Sequence, residues 1–595
     1  MCAPRPSSLL FLLFAALLGI ACASAQALPG QLPVAGTAAF LDPPAVLDDV
    51  LQVKFVEGSG VEMVDGELRS RAGVDLTPVT GLLAGAEVAP WITVVEWDEL
   101  DRWHARACAA LPAHNRPGHL GLWYRVRTSS AAAADALVAA LAAQPLIADV
   151  YKEPIAYPAS WQPPLPGNDL PPTTPSFTSM QHAHEPSPTG HGVRLADGVL
   201  GARGQGVTLY MVEDAWLFDH EDMSQLIAAN VIGAMPTGQG GGASHGLSGA
   251  SIVIADRNAY GITGISDRVT ARFLSQVSTG GLGNAFALLL QQSQPGDVVM
   301  MVIMVLVPGL GPGAWLPIEF YQAVFDVVLT ATATGVHVCA PAGNGDRSLD
   351  DPALLGRFDR NFRDSGACIV GATDGALLQR ASYSNWGSRV DANGWGNNVV
   401  ACGYGTLFFP NSDPLQAYTA AATGTSSATP HVAGLMAAIQ GAAKKQLGTT
   451  LGNDQLLSLL HQYGASTPDV IGLRPDLVAI FDALGVHDGL RAAQPDVSLG
   501  DTIEMTLEGQ VGGVAALYGA FAEADVPVGL NRNLHLDPLG LVPIGAWLLG
   551  TPGPHYQLPV PNNAALHGSE LFFQAARLYS GAPLELSNSC QVTIL

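Results

Sequence analysis

Ten residues, 298–307, read VVMMVIMVLV without a polar interruption. A surface helix would show polar positions at a period near 3.6, and a half-exposed strand at a period of 2. A run with neither reads as a strand covered on both faces, which is the condition of strands in a parallel sheet flanked by helices. The neighbouring segments fit. Residues 318–335, IEFYQAVFDVVLTATATG, read as a helix ended by Gly335, and 336–344, VHVCAPAGN, as the next strand. Strand, helix and strand in succession make a βαβ unit. The runs ACIVGAT (367–373) and NNVVACGYG (397–405) are expected to add strands, and SSATPHVAGLMAAIQGAAKK (426–445) is a long helix of small residues. The expected class over 176–485 is therefore α/β, a parallel sheet between helices.

On either side the pattern changes. Residues 26–160 mix strand-like runs (51–58, 119–128, 148–158) with one helix, 131–145, rich in Ala and Leu and stopped by Pro145. This is an α+β region. Residues 161–175 continue a Pro-rich stretch with too few apolar residues to pack, an extended linker. In 495–595 the alternation of Ile503, Met505 and Leu507 and the frequent Gly, Pro and Asn predict an antiparallel β-sandwich. Residues 1–25 hold one Arg, an apolar stretch and the small-residue site Ala23-Ser24-Ala25, the layout of a secretory signal peptide cleaved after Ala25. The alternative is a lipoprotein anchored through Cys22, for which Gly19 stands where a lipobox prefers Leu.

The formal charge of −24 opposes nucleic acid or an anionic membrane as partner and suits a secreted protein with an acidic surface. Beyond the leader, Cys108, Cys339, Cys368, Cys402 and Cys590 have the spacing of neither a disulfide scaffold nor a zinc site. One bridge among Cys339, Cys368 and Cys402, or buried free thiols, are the two readings.

Four stretches could supply the parts of a serine nucleophile site. A serine hydroxyl needs an imidazole to take its proton, and the imidazole needs a carboxylate to fix its tautomer. The oxyanion formed then needs preorganised donors. GTSSATPHVAG (424–434) puts Ser426 at the mouth of a helix, whose N-terminus favours developing negative charge. HGLSGAS (245–251) offers His245. Asn344 follows a core strand, at the carboxyl end of the sheet where open α/β folds place their sites. VEDAW (212–216) offers two adjacent carboxylates, Glu213 and Asp214, of which only one can aim at a given partner, because successive strand residues point to opposite faces.

Gly-Thr-Ser-x-Ala-x-Pro-x-Val-Ala-Gly at 424–434 resembles the nucleophile motif of the subtilisin family of serine proteases. The order acid, histidine, serine is also that of subtilisins. His245-Gly246 resembles the family's histidine segment, with Leu247, Gly249 and Ser251 departing from it. Ala-Gly-Asn at 342–344 resembles the segment presenting an oxyanion-donating Asn. The family's acid is an Asp seven positions before a structural His. Counting back from His220 selects Glu213, with Asp214 as the alternative acid, and the substitution resembles a side branch of the family. The resemblance implies a secreted endopeptidase acting on protein or peptide substrates. Its catalytic residues would be Glu213, His245 and Ser426, with Asn344 in the oxyanion hole. It also implies a prodomain at 26–160 that inhibits in cis and is removed by self-cleavage near the linker. No cofactor is required by this chemistry. Calcium is common in the family, yet no loop here has a ligand spacing that places it, and no metal ligands are assigned. Glu and Asp in place of His, as in sedolisins, are disfavoured by His245 and Asn344. His220 and His431 are expected to be structural, and Glu319 to be a surface or helix-terminal carboxylate. The rival reading is a catalytically inactive binding or scaffold protein on the same fold, motivated by the altered positions. A cell-surface adhesin acting through 495–595 is a third.

Overall fold

The computed structural model describes residues 45–158 and 174–595, apart from 237–240, 551–552 and positions 488, 495 and 529. The expected leader with Cys22 and most of the 161–175 linker lie outside the described residues.

Six parallel strands form the central sheet: β1 (Thr208–Glu213), β2 (Thr270–Ser275), β3 (Val298–Met301), β4 (His337–Pro341), β5 (Cys368–Thr373) and β6 (Ala392–Trp395), in the order β6-β5-β4-β3-β1-β2. Helices cover both faces, as an all-apolar strand requires. Met211, Met300 and Cys339 turn toward α1 (Gly241–Ile254) and α4 (Thr425–Leu447), joining Leu247, Val432 and Met436 in one core. Their neighbours Val212, Val299 and Val338 turn the other way, toward α2 (Leu282–Leu290) and α3 (Gln322–Ala333), and pack with Phe286 and Val327. The chain runs from β1 out to β2 and returns to β3 on the far side of β1. Strand order reverses there, so the carboxyl ends of β1 and β3 stand where open α/β sheets form their crevice.

Two expectations need correction. The run 298–307 is not one strand. It leaves the central sheet after Met301, and Ile303–Leu306 pairs antiparallel with Trp315–Pro317 and with Ala156–Pro158. Both halves are buried, so apolarity alone could not mark the break. The run 397–405 does contain a strand, but not one of the central sheet: Val399–Cys402 pairs antiparallel with Tyr418–Ala422. The sixth position is taken by β6, whose Asn393 and Gly394 made it unlike a strand. Gly394 is there because a side chain would strike the backbone of Ala428 in α4.

The N-terminal region has a four-stranded antiparallel sheet, in the order Glu87–Pro90, Trp123–Arg127, Val46–Phe55, Ile147–Pro154. Helices Trp97–Ala110 and Ala131–Ala142 accompany it. At the other end of the chain two sheets share a core of Ile503, Met505 and Leu507 with Phe573 and Val592. Among the described residues all five cysteines are free, and no helix is long and apolar enough to cross a membrane.

Candidate active site

Each site residue stands at an end of an element abutting the crevice. Glu213 is the last residue of β1 and is 1% exposed. Its Oε2 lies 3.0 Å from His245 Nδ1, and its Oε1 accepts the backbone N–H of Asp214 at 3.1 Å. The longer Glu side chain therefore spans to the ring without loss of the contact. Asp214 does not reach His245; its Oδ1 accepts a hydrogen bond from Gln276 Nε2 at 2.6 Å. His245 is buried on α1. Burial alone would depress its pKa, but the charge and hydrogen bond of Glu213, aided by Asp214, outweigh burial and hold it above the ordinary value. The glycine after it is required by packing, because a Cβ on Gly246 would overlap the Ala215 carbonyl. The departures in this segment also have packing reasons. Leu247 is wholly buried, and Ser251 Oγ donates to the Ser248 carbonyl and accepts from Cys402 N at 3.0 Å.

Ser426 lies in the first turn of α4, after Gly424 at φ +116°, a conformation that excludes most side chains. Asn344 comes from the loop after β4. Its Oδ1 accepts from Thr425 N at 3.0 Å and from Thr425 Oγ1 at 2.8 Å. A Cβ built on Gly424 would stand 2.8 Å from Ser426 Oγ and 3.4 Å from Asn344 Nδ2, so hydroxyl and amide converge on one small volume. His245 and Ser426 line a common cavity of about 280 Å³, with Tyr404, Thr406, Thr419 and Ser427 on its walls.

Residues that the sequence did not point to hold this arrangement. Asn385, fully buried, donates to the Ala342 and Trp315 carbonyls at 2.6 Å and accepts from Gly345 and Arg347 N–H at 3.1 and 2.9 Å. It fixes the loop that carries Asn344. Tyr383 Oη accepts from Gly424 N at 3.0 Å and donates to the Gly396 carbonyl. Neither residue lies in a motif or a periodic run, so no sequence signal marks it.

The competing groups are elsewhere. His220 bonds the Ala417 carbonyl and His431 the Ser427 carbonyl, and burial pushes each imidazole down to about 4. Glu319 has the expected helix-terminal place, in the short turn Ile318–Phe320, but it is not on the surface: it is 3% exposed and paired with Arg389 at 2.9 Å, a buried pair hidden from any reading of residue type alone. Among the described residues no three His, Cys, Asp or Glu side chains cluster to hold a metal ion.

Comparison with known proteins agrees with this geometry. Residues 234–462 match the model of the Subtilase family. The chain carries a subtilase domain. The matched span includes His245, Asn344 and Ser426 and begins after Glu213, so it does not address the acid. Over 241 residues the chain is 28% identical to M-protease of Shouchella clausii (strain KSM-K16), covering 40% of this chain and 55% of that protein. The likeness to Subtilisin Savinase of Lederbergia lenta is also 28% over 241 residues, covering 40% and 78%. Subtilisin-like protease 4 of Trichophyton equinum is 27% identical over 243 residues, covering 39% and 52%. The chain thus spans little more than half of two of these relatives.

Proposed function

We propose that this subtilase is a secreted serine endopeptidase acting through an acyl-enzyme on Ser426. Ser426 Oγ attacks the scissile carbonyl while His245 Nε2 takes its proton. The ring then gives that proton to the departing amine, and a water activated the same way releases the acyl group. Glu213 holds Nδ1–H and balances the imidazolium. The Asn344 side chain and the Ser426 N–H receive the oxyanion. The observation that carries this reading is the buried 3.0 Å contact of Glu213 with His245, on a ring that shares its cavity with Ser426.

In this reading the N-terminal region is an inhibitor in cis. Ala156–Pro158 runs antiparallel to Ile303–Leu306, with Pro158 opposite Ile303, so the chain leaves this pairing heading toward Val302. Val302 stands near Gly249, one turn along α1 from His245. In this reading self-cleavage falls between 159 and 175, after the strand that pairs with Ile303–Leu306.

The test is covalent labelling of the secreted protein with a fluorophosphonate probe. Labelling should vanish in Ser426→Ala and fall by about 10⁴ in rate in Glu213→Gln, which leaves the ring without its charge partner. A wild-type protein that stays unlabelled, even after removal of the N-terminal region, would leave the inactive-scaffold reading standing instead.

A further inference from the structure

The second carboxylate at the end of β1 is not needed by the strand, and the triad just described does not use it. Asp214 is nevertheless tied in on three sides. Gln276 Nε2 donates to its Oδ1 and Ser275 Oγ to its backbone carbonyl, both at 2.6 Å. Its Cβ and Oδ2 lie 3.2 and 3.8 Å from the point where a Cβ on Gly242 would stand, in the first turn of the helix that carries His245. Its backbone N–H, in turn, donates to the Glu213 oxygen not used by His245. A carboxylate at the start of a helix is held there favourably, and its charge acts along the axis toward an imidazolium one turn away.

We propose that Asp214 is a positioning residue for hydrolysis: its backbone N–H holds Glu213 and its carboxylate, while ionised, makes His245 a stronger base. The proposal rests on the triad reading above. Burial and the neighbouring Glu213 charge push Asp214 up to about 6, whereas the Gln276 hydrogen bond pulls it down. The charged groups that bear on it are Glu213 on its own strand and His245 on α1; the β2 side presents the neutral Ser275 and Gln276. The sign follows. Above pH 6 the ionised Asp214 supports the imidazolium formed in the transition state. As the pH falls through 6 the group takes a proton and that support is lost.

The second-order rate of fluorophosphonate labelling should be followed from pH 4.5 to 9.5 in the full chain and two variants, working ranges chosen to bracket the two titrations. Asp214→Asn should lower the plateau by roughly threefold to tenfold and move the acid midpoint down by about 0.5 to 1 unit. Gln276→Met removes the bond that keeps Asp214 ionised. Its deficit should be present near neutrality and disappear at alkaline pH, a recovery that Asp214→Asn cannot show. A loss that merely reflected looser packing would lower the rate at every pH and leave both midpoints in place. Ser426-dependent labelling with midpoints unmoved in both variants would overturn this proposal and leave the triad intact. No labelling of the wild type at any pH would remove both.

Discussion

Gly424 carries more of the site than its size suggests. Its φ of +116° turns the chain into α4, its N–H is held by Tyr383 Oη, and the space beside it is shared by Ser426 Oγ and Asn344 Nδ2. A methyl there would occupy the position that the proposed mechanism gives to the oxyanion. Gly424→Ala should therefore lower the labelling rate by at least about 10², beyond what backbone strain of about 1–3 kcal/mol does to the thermal midpoint. Asn344→Ala, which removes the donor without strain, should lower kcat by about 10²–10³ and leave KM near its wild-type value. If KM rose instead and kcat held, Asn344 would be a ground-state contact. At this scale the sequence was legible where chemistry dictates residue type. Ser426, His245 and Asn344 lie in motifs, and the count back from His220 distinguishes Glu213 from Asp214. Tyr383 and Asn385 were not legible, because they work by hydrogen bonds to backbone carbonyls and amides, and any loop Tyr or Asn could do that.

Elements were legible in proportion to their contrast with water. Helix α4 and strands β4 and β5 stand where the apolar pattern put them. The pattern failed where burial continues through a change of partner, as at Val302, and where close approach replaces side-chain packing, as at β6. The same close approach explains Gly441 in α4. A Cβ on Gly441 would overlap the Gly201 carbonyl, and a Cβ on Gly201 would overlap that of Gly441, so two backbones touch with no side chain between. Neither segment can retreat, since Gly441 is flanked by Gln440 and Ala442, both wholly buried. Gly441→Ala should cost about 1–3 kcal/mol despite the better helix propensity of Ala. The urea midpoint should fall with an unchanged slope. Labelling of Ser426, fifteen residues away at the other end of α4, should survive at low temperature; its loss there would mean that the helix moves as a rigid rod into the site.

Composition divides the chain into three regions, but it does not show how they depend on one another. Lys54, on a strand of the N-terminal sheet, reads as an ordinary solvent-facing lysine. In the structure its ammonium lies 3.1 Å from Asp326 on α3, in a pair whose side chains are 11% and 2% exposed. Asp326 also accepts from Trp123 Nε1 at 3.2 Å and from Gly118 N at 3.3 Å. Around this pair Trp91, Trp123 and Leu120 complete the core that begins with Phe286 and Val327, and Thr93 and Asn284 exchange hydrogen bonds beside it. Taking both charges out of water is costly, and a partner removed leaves the other charge stranded. Lys54→Met should therefore destabilise the uncleaved chain by about 3–5 kcal/mol, less whatever water enters to solvate Asp326. Asp326→Asn added to that variant should restore part of the loss, because the stranded charge is gone and the amide oxygen still accepts from whichever of Trp123 Nε1 and Gly118 N it faces. Chemical denaturation of the Ser426→Ala background, which keeps the regions covalently joined, measures both. A single-variant cost below about 1 kcal/mol, the range of exposed pairs, would mean that the aromatic cluster alone docks the N-terminal region. The N-terminal region would then be held by apolar area rather than by the buried pair, and its release, in the proposed reading, would not depend on charge.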